Sequence, residues 1–349
     1  GIPPTLPGRG VPGEKGTAMR YVSPESIARI ITGATTQAPI RYTDEPGEPR
    51  VEGEPGYHTT PSGKTIVHHP SAYKWATVYH CSTEEIAEAV RMASNGDTAL
   101  SPQLAASMLD EVRKLQQKKF RDAAGCFLVE GEHLIIELQR AVARHPQLAD
   151  ALLFLTPARA DWQSPFTTQV VSDRQMAKIA DTENPQGMLA VVPHWPAPAP
   201  QPGERAIYLH EIQDPGNLGT ILRSLGWFGG YRCLLSPNSV DPYNPKVVRA
   251  SMGAIFHVPI ELDVAAHTVA KRYQRLAGLD LQGAPVSSRG FADFDCYVFG
   301  NEARGLPREV LATLQAQTFS VPGGGAIESL NLAAVVNMSL YELNRERPQ

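Results

Sequence analysis

Short apolar runs alternate with longer segments of helical periodicity along the C-terminal half of the chain. From residue 205, the runs AIYLHEI, RCLLS, AIFHVPIEL, CYVFG and TFSVP have the apolar, β-branched and aromatic character of strands. Between them, apolar residues recur three and four positions apart, as they do in helices, so the order strand-then-helix repeats. This order predicts an α/β fold with a parallel sheet covered by helices on both faces.

The segment DPGNLGTILRSLGWFGG, residues 214–230, predicts a helix that begins near Asn217. Its apolar stripe is formed by Leu218, Ile221, Leu222 and Leu225. Gly219, Arg223 and Gly226 lie on a different face, where each glycine costs about 1 kcal/mol of helix propensity. We therefore expect something large to approach this face. The alternative is a solvated arginine on a glycine-tolerant helix.

Changes in composition divide the chain into five parts. For the Pro- and Gly-rich residues 1–18, we expect either a disordered lead or a cloning remnant. Residues 19–100 carry no legible chemical motif and predict an accessory N-terminal extension. Residues 101–193 alternate strand-like and helical segments and predict a small α/β domain. The Pro/Ala-rich residues 194–204 are typical of an extended linker, and residues 205–349 predict the parallel-sheet domain.

The charge of the chain gives no general attraction to nucleic acid. The formal net charge is −4, so RNA binding would need local basic patches. One candidate patch, RKLQQKKFR, contributes Arg113, Lys114, Lys118, Lys119 and Arg121. Lys246 and Arg249 are further candidates for phosphate contact. A solvated helix face is the alternative for each of these groups.

Cysteine usage and hydropathy exclude several classes of protein. Four cysteines, Cys81, Cys126, Cys233 and Cys296, lie far apart and predict buried or free thiols in a reducing compartment. We expect no metal site, because the ligand-type residues between His68 and Cys81 lack ligand spacing. No apolar run reaches the roughly 18 residues of a membrane span. We expect a cytoplasmic protein, or one of an organellar matrix in a eukaryote.

Three polar, glycine-bearing loops follow predicted strands, where parallel sheets bind ligands: QDPGNLG, FGNEARG and VPGGGAIESLN. None has the Gly-Lys-Ser/Thr of a phosphate-binding loop or the G-x-G-x-x-G of a dinucleotide site. No nucleophile elbow is legible either. The loops therefore point away from kinases, dehydrogenases and hydrolases.

In order and spacing, DPGNLGTILR, FGNEARGL and VPGGGAIESLNLA resemble the three motifs of the SpoU (TrmH) branch of the SPOUT methyltransferases. Upstream, RKLQQKKFRDAAGCFLVEGEHLI and DTENPQGMLAVV are similar to the ribosomal-protein-like, RNA-binding domain of many members that modify rRNA. The resemblance covers about residues 101–349 and fails over 1–100.

The resemblance implies an enzyme that moves a methyl group from S-adenosyl-L-methionine to a ribose 2′-hydroxyl in RNA, with rRNA preferred. It also implies a trefoil knot in the C-terminal domain, a feature that is nearly absent from other proteins. The enzyme would form a homodimer through the knotted domain. A tRNA 2′-O-methyltransferase and a non-catalytic RNA-binding or ribosome-assembly factor on the same fold are the alternatives.

Carried over residue by residue, the resemblance also implies the site. The catalytic group would be Asn217, Arg223, Glu302, Ser329 and Asn331. The cofactor would be held largely by backbone groups at Gly300, Val321 and Leu330. One departure is Gly323, which stands where the family usually has Met and which puts cofactor affinity in doubt.

Specific roles follow for these groups. The family mechanism makes Arg223 the general base, although a guanidinium normally keeps its proton; the alternative is a charged arginine that clamps phosphate and stabilises the alkoxide. Glu302 would fix the loops by accepting backbone hydrogens. Ser329 would brace the knot or simply cap the last helix, and Asn331 would brace the ribose or satisfy loop carbonyls from a buried position.

Overall fold

The computed structural model describes residues 56–59, 65–68 and 109–345. Strands β1 (Gly56–Thr59) and β2 (Thr65–His68) pair antiparallel. The expected lead over residues 1–18 lies outside the described residues, and so does the rest of the predicted extension over residues 19–100. The remaining chain divides after Trp195 into two compact units, and the domain limits at 193 and 205 stay predictions.

The N-terminal unit is built on one four-stranded sheet. Its strands, in the order β3-β6-β4-β5, are β3 (Cys126–Glu130), β4 (Leu152–Leu155), β5 (Thr167–Val170) and β6 (Met188–Pro193). Its helices are α1 (Lys118–Ala124), α2 (Glu132–Ala141) and α3 (Asp173–Ile179). Every residue of β3, β4 and β6 is buried, because helices or neighbouring strands cover both of their faces.

The basic segment of this unit is not one continuous helix. Residues 109–114 are helical, residues 115–117 form a turn, and α1 then begins at Lys118. The helix ends at Gly125, whose φ of 64° is in the left-handed region that glycine adopts most easily.

The C-terminal unit is a six-stranded, fully parallel sheet in the order β12-β10-β11-β7-β8-β9. The strands are β7 (Arg205–Leu209), β8 (Tyr231–Leu235), β9 (Ile260–Glu261), β10 (Leu276–Pro285), β11 (Cys296–Phe299) and β12 (Gln317–Ser320). The helices are α4 (Pro215–Phe228), α5 (Pro245–Ser251), α6 (Ala266–Arg272), α7 (Arg308–Leu314) and α8 (Leu332–Asn344). The predicted parallel α/β sheet is therefore confirmed.

Helices cover this sheet on both faces because neighbouring residues of each strand point to opposite sides. In β7, Ile207 and Leu209 belong to the core cluster that contains α4 and α8. Ala206 and Tyr208 belong to the cluster formed with α6 and α7. The two cores therefore contain different helices. The three motif loops follow β7, β11 and β12 and so lie at the carboxyl edge of the sheet.

Two parts of the sheet differ from the prediction, one strand that is shorter than expected and one strand that was not predicted. The run AIFHVPIEL is not one strand, since Ala254–Phe256 forms a 3₁₀ turn and only Ile260–Glu261 joins the sheet. Strand β10 is absent from the predicted strands, although it lies between β11 and β12. Its pairing with β12 shifts register between Leu279 and Ala284, so the intervening residues leave the ladder and are exposed.

Burial explains the cysteines in the described part of the chain. Cys126, Cys233 and Cys296 are buried, free thiols, as the sequence predicts. Burial raises the pKa of Cys233 to about 12. Within the described residues, no group of three His, Cys, Asp or Glu side chains could hold a metal ion. Every helix in that part falls short of the length or apolar character that a membrane crossing requires.

Candidate active site

Three loops meet at the carboxyl edge of the parallel sheet. They follow β7, β11 and β12, and the first two strands are neighbours. The backbone N–H of His210 continues the ladder by donating to the carbonyl oxygen of Phe299 at 2.9 Å. The topology thus brings together the three segments that the sequence marks as motifs.

Glu302 joins the loop after β11 to the loop after β7. Its carboxylate accepts the backbone N–H of Gln213 at 3.1 Å and that of Asp214 at 2.8 Å. Asp214 in turn caps α4, because its side chain accepts the N–H of Asn217 at 2.7 Å. Glu302 therefore has the contacts that the sequence analysis expects of it, and its part in catalysis stays a prediction.

A second connection joins the same two loops through residues that the sequence analysis did not identify. Asn301 donates from Nδ2 to the carbonyl oxygen of Glu211 at 2.8 Å. The guanidinium of Arg304 forms an ion pair with the Glu211 carboxylate at 2.7 Å. The only signal available in the sequence was the proximity of Asn301 and Arg304 to Glu302.

Asn217 and Asn331 connect the first and third loops. Asn331 donates from Nδ2 to Oδ1 of Asn217 at 3.0 Å, although the two residues are 114 positions apart. Asn331 also caps α8, since its Oδ1 accepts the N–H of Ala334 at 3.2 Å. Asn331 is exposed, so the alternative of a buried amide that satisfies loop carbonyls is wrong. Ser329 is not the helix cap; it lies in the exposed loop before Asn331.

Arg223 lies on the exposed surface of α4, two turns after Asn217. Within the described chain, its guanidinium makes no hydrogen bond or ion pair. The next residue, Ser224, donates to Oδ1 of Asn337 at 2.6 Å and so ties α4 to α8. Arg223 is therefore an available cation on a helix that two contacts hold in place, Asn217–Asn331 at its start and Ser224–Asn337 beside the arginine.

The glycines beside Arg223 give space to another part of the same chain. A Cβ on Gly219 would clash with Cβ of Ala250 and lie 2.9 Å from the carbonyl oxygen of Val247. A Cβ on Gly226 would lie 3.1 Å from Cβ of Ala254. The large object that approaches this face is thus α5 and the turn after it. The sequence analysis correctly expects a large neighbour at this face, but that neighbour is part of the same chain and fills the space beside both glycines.

The predicted cofactor positions have distinct surroundings. A Cβ on Gly300 would overlap the backbone of Gly305, so the glycine permits a close turn within the second motif. Val321 packs partly against the core. Leu330 is 43% exposed. Gly323 has open space around it, since a Cβ there would meet nothing within 4 Å.

The third loop has the properties that backbone recognition of S-adenosylmethionine requires. Residues 322–330 are all exposed, and the N–H groups of residues 323–330 donate to no backbone group of the described chain. Leu330 and Ile327 present apolar side chains beside these donors. Free N–H groups next to apolar surface fit a ligand that has a carboxylate, an amine and an adenine ring.

The predicted RNA-contact residues differ in availability. Arg113 and Lys246 are exposed, and Arg249 is partly buried. Lys114 pairs with Glu111 and Lys118 with Asp122, each at 2.5 Å. Lys119 lies 4.7 Å from the centre of the Phe120 ring. Charge compensation therefore differs along the basic segment, because Lys114 and Lys118 have acidic partners on their own helices.

Arg121 does not belong to an RNA-contact surface. Its side chain is 2% exposed, and one guanidinium nitrogen donates to the carbonyl oxygens of Leu115 at 3.0 Å and Gln116 at 2.8 Å. These bonds hold the turn between the two helical segments. The prediction that Arg121 contacts RNA is wrong, because a buried guanidinium that binds its own backbone is closed to phosphate.

His210, also missed by the sequence analysis, is partly buried at the carboxyl end of β7. Burial lowers the pKa of His210 below its ordinary value; Glu211 opposes this shift and Arg304 adds to it. The neutral imidazole is therefore favoured beside the Glu211–Arg304 pair.

Comparison with known proteins agrees with this geometry. Residues 204–341 match the SpoU rRNA Methylase family, and residues 108–190 match the MRM3-like substrate binding domain. The 23S rRNA (guanosine(2553)-2′-O)-methyltransferase RlmP of Bacillus subtilis is 28% identical over 66% of this chain and 93% of its own length. The mitochondrial rRNA methyltransferase 3 of Mus musculus is 31% identical over 44% of this chain and 39% of its own.

The chain is also similar in fold to a solved rRNA methyltransferase. The AdoMet-bound rRNA methyltransferase from Sinorhizobium meliloti is 26% identical, with a TM-score of 0.60 over 70% of this chain and 97% of that one.

Proposed function

We propose that the chain, whose residues 204–341 match the SpoU rRNA Methylase family, methylates a ribose 2′-hydroxyl of ribosomal RNA with S-adenosyl-L-methionine as the methyl donor. One observation carries the proposal: Glu302 and the Asn217–Asn331 pair join the three motif loops beside Arg223, which has no partner within the described chain. The relative RlmP is named as a 23S rRNA 2′-O-methyltransferase, which supports rRNA over tRNA.

Each polar residue of the site has a role in this proposal. S-adenosylmethionine supplies an electrophilic methyl group when bound, and we assign its binding to backbone groups at Gly300, Val321 and Leu330. Glu302 holds the first two loops in register, and Asn331 holds Asn217 at the start of α4. Ser329 precedes that pair in the exposed loop, where its hydroxyl can reach a ligand.

Arg223 acts as a charged group in this proposal. The general-base hypothesis needs dry surroundings that force the guanidinium to lose its proton, whereas Arg223 is exposed in the single chain and must stay accessible to RNA beside the second copy proposed below. We therefore favour the alternative in which the guanidinium stabilises the developing alkoxide and holds a neighbouring phosphate. Such a group lowers the barrier because its charge is in place before the reaction starts.

We also propose a homodimer in which a second copy covers the outer surfaces of α4 and α8. The contacts Asn217–Asn331 and Ser224–Asn337 show that the two helices run side by side in the same direction. Trp227 of α4 is 84% exposed and Tyr341 of α8 is 59% exposed, which is a large apolar area for an uncovered surface. Light scattering of native protein against Trp227→Asp tests this proposal, and a monomeric native protein would contradict it.

The trefoil knot remains part of the proposal. Residues 321–331 lead from the edge strand β12 to α8, which packs against α4 near the middle of the sheet. Phe291, in the connection between β10 and β11, belongs to the same core cluster. Two connections that cover one face in this way support a threaded chain, and a crystal structure tests it. The cytoplasmic or organellar location also stays a prediction.

The decisive experiment uses labelled S-adenosylmethionine and deproteinised rRNA or ribosomal subunits, followed by mapping of 2′-O-methyl positions. We expect incorporation at a ribose, and its loss in Arg223→Ala. Arg308→Ala is the matched control, since Arg308 is also exposed and has no partner within the described chain. A native protein that binds rRNA but not S-adenosylmethionine would favour the non-catalytic assembly factor. Incorporation into tRNA alone would favour the tRNA-modifying alternative.

A further inference from the structure

The three motif loops carry an unusual charge distribution for a site that accepts RNA. Residues 210–217, 300–306 and 321–331 contain four carboxylates and only one lysine or arginine, which is Arg304. The carboxylates are Glu211, Asp214, Glu302 and Glu328. Because each nucleotide brings a negative phosphate, these groups would oppose substrate binding unless a cation is placed among them.

Arg304 is held in place by its own loop and by the first loop. Its backbone N–H donates to Oδ1 of Asn301 at 3.1 Å, and its guanidinium binds Oε2 of Glu211 at 2.7 Å. The ion pair uses one terminal nitrogen, and the rest of the guanidinium has no partner within the described chain. The side chain is 68% exposed, so the remaining N–H groups face solvent.

Glu211 is a rigid support for this guanidinium. Its φ of 51° is in the left-handed region, which side-chain-bearing residues seldom adopt. The backbone on both sides is fixed, since its N–H donates to Oγ of Ser236 at 2.7 Å and its carbonyl accepts from Asn301 at 2.8 Å. The chain thus accepts an uncommon conformation that orients Glu211 toward Arg304.

We propose that Arg304 is an RNA-positioning residue, which binds a backbone phosphate of the substrate strand while Glu211 orients the guanidinium. This inference rests on the proposed function, since it requires RNA at the carboxyl edge. A guanidinium can bind a carboxylate at one nitrogen and a phosphate at the others, because its donors are arranged in a planar fork. The contact fixes the strand and leaves the methyl donor site unchanged.

A simpler role for Arg304 would be to neutralise Glu211, and a pair of variants separates the two roles. If Arg304 only neutralises, Arg304→Gln harms RNA binding because Glu211 is left unpaired, and the double variant Glu211→Gln/Arg304→Gln restores it. If Arg304 binds phosphate, the double variant stays as weak as Arg304→Gln alone. The matched control is Arg275→Gln/Asp295→Asn, an equally exposed ion pair at the opposite edge of the sheet.

The measurements are RNA affinity by fluorescence anisotropy without cofactor, methylation kinetics, and S-adenosylmethionine affinity by calorimetry. For Arg304→Gln we expect RNA affinity to fall about tenfold, as for loss of one charge-assisted phosphate contact. The slope of log affinity against log salt should decrease by about 0.7 to 0.9. KM for RNA should rise by the same factor, with kcat and S-adenosylmethionine affinity unchanged.

Restored RNA affinity in the double variant, or an equal loss in the control pair, would overturn the inference. So would an unchanged salt slope in Arg304→Gln. The proposed function fails separately: native protein that binds RNA but transfers no methyl group refutes the enzyme, while the anisotropy series still decides whether Arg304 binds phosphate.

Discussion

Helix α1 of the N-terminal unit and helix α4 of the C-terminal unit each carry one arginine, and the two side chains have opposite surroundings. Arg121 is buried and donates to two backbone carbonyls. Arg223 is exposed and has no partner within the described chain. An arginine whose donors are used internally stabilises the fold, whereas one without partners is available to a ligand.

The lysines around Arg121 extend the comparison. Lys114 and Lys118 each pair with a carboxylate on their own helix, so the basic segment is partly neutralised. In the C-terminal unit, Arg223 pairs with no carboxylate of the residues that the structure describes. Counting cations along a sequence therefore measures a patch less well than counting the cations that remain unpaired.

The largest effect is expected for Arg223→Ala. Loss of a preorganised cation at a developing alkoxide should reduce methyl transfer about 100- to 1,000-fold. The melting temperature should not change, because the exposed side chain makes no hydrogen bond or ion pair with the described part of the chain. Steady-state kinetics and thermal unfolding check this. Activity within threefold of native protein, or a lowered melting temperature, would remove the contrast with Arg121.

Arg121→Met should instead lower the free energy of unfolding, while the methyl-transfer activity per folded molecule stays unchanged. Methionine keeps much of the aliphatic stem but removes the donors of two carbonyls, at a cost of about 1–3 kcal/mol for each unsatisfied group. Urea unfolding measures the loss, and Lys118→Met on the same helix is the exposed control. Equal stability of the two variants would show that the internal bonds of Arg121 do not matter.

The glycines of α4 sharpen the comparison within one helix. Gly219→Ala should destabilise by about 1–3 kcal/mol, because its Cβ would overlap Ala250 and crowd Val247. Gly226→Ala should be nearly neutral, since a contact of 3.1 Å is relieved by a small shift and alanine favours the helix by about 1 kcal/mol. Chemical unfolding distinguishes them. Full stability in Gly219→Ala with loss of activity would show instead that Gly219 leaves space for a ligand.

The smallest effects are expected from the basic segment of the N-terminal unit. Arg113→Ala and Lys119→Ala should each weaken rRNA binding about two- to threefold, in line with one exposed phosphate contact. Lys114→Ala and Lys118→Ala should change it less, because their charges are already paired. Anisotropy at two salt concentrations makes the comparison. Larger losses from the paired lysines would show that RNA displaces Glu111 and Asp122.

Periodicity and turn chemistry identified the elements whose signal is local. Helix α5 shows such a local signal, because Asn244 caps it and Pro245 fits its first turn. Strand β10 was missed because Asp280, Gln282 and Gly283 interrupt its apolar pattern, and only pairing with β11 and β12 makes it a strand. A local signal also left the cap of α8 open, since serine and asparagine are both adequate cap residues, and the structure has Asn331 as the cap instead of Ser329.

By itself, the amino-acid sequence determined the alternation of strands and helices apart from β10 and the short strand β9, and it determined the three motif loops and the residue types within them. These properties depend on neighbours three or four positions away. The tertiary structure alone decided that Gly219 packs against Ala250, that Arg121 is buried and Arg223 is not, and that Asn331 reaches Asn217. Each of these depends on which distant segment fills the space or accepts the hydrogen bond, and folding brings those partners together.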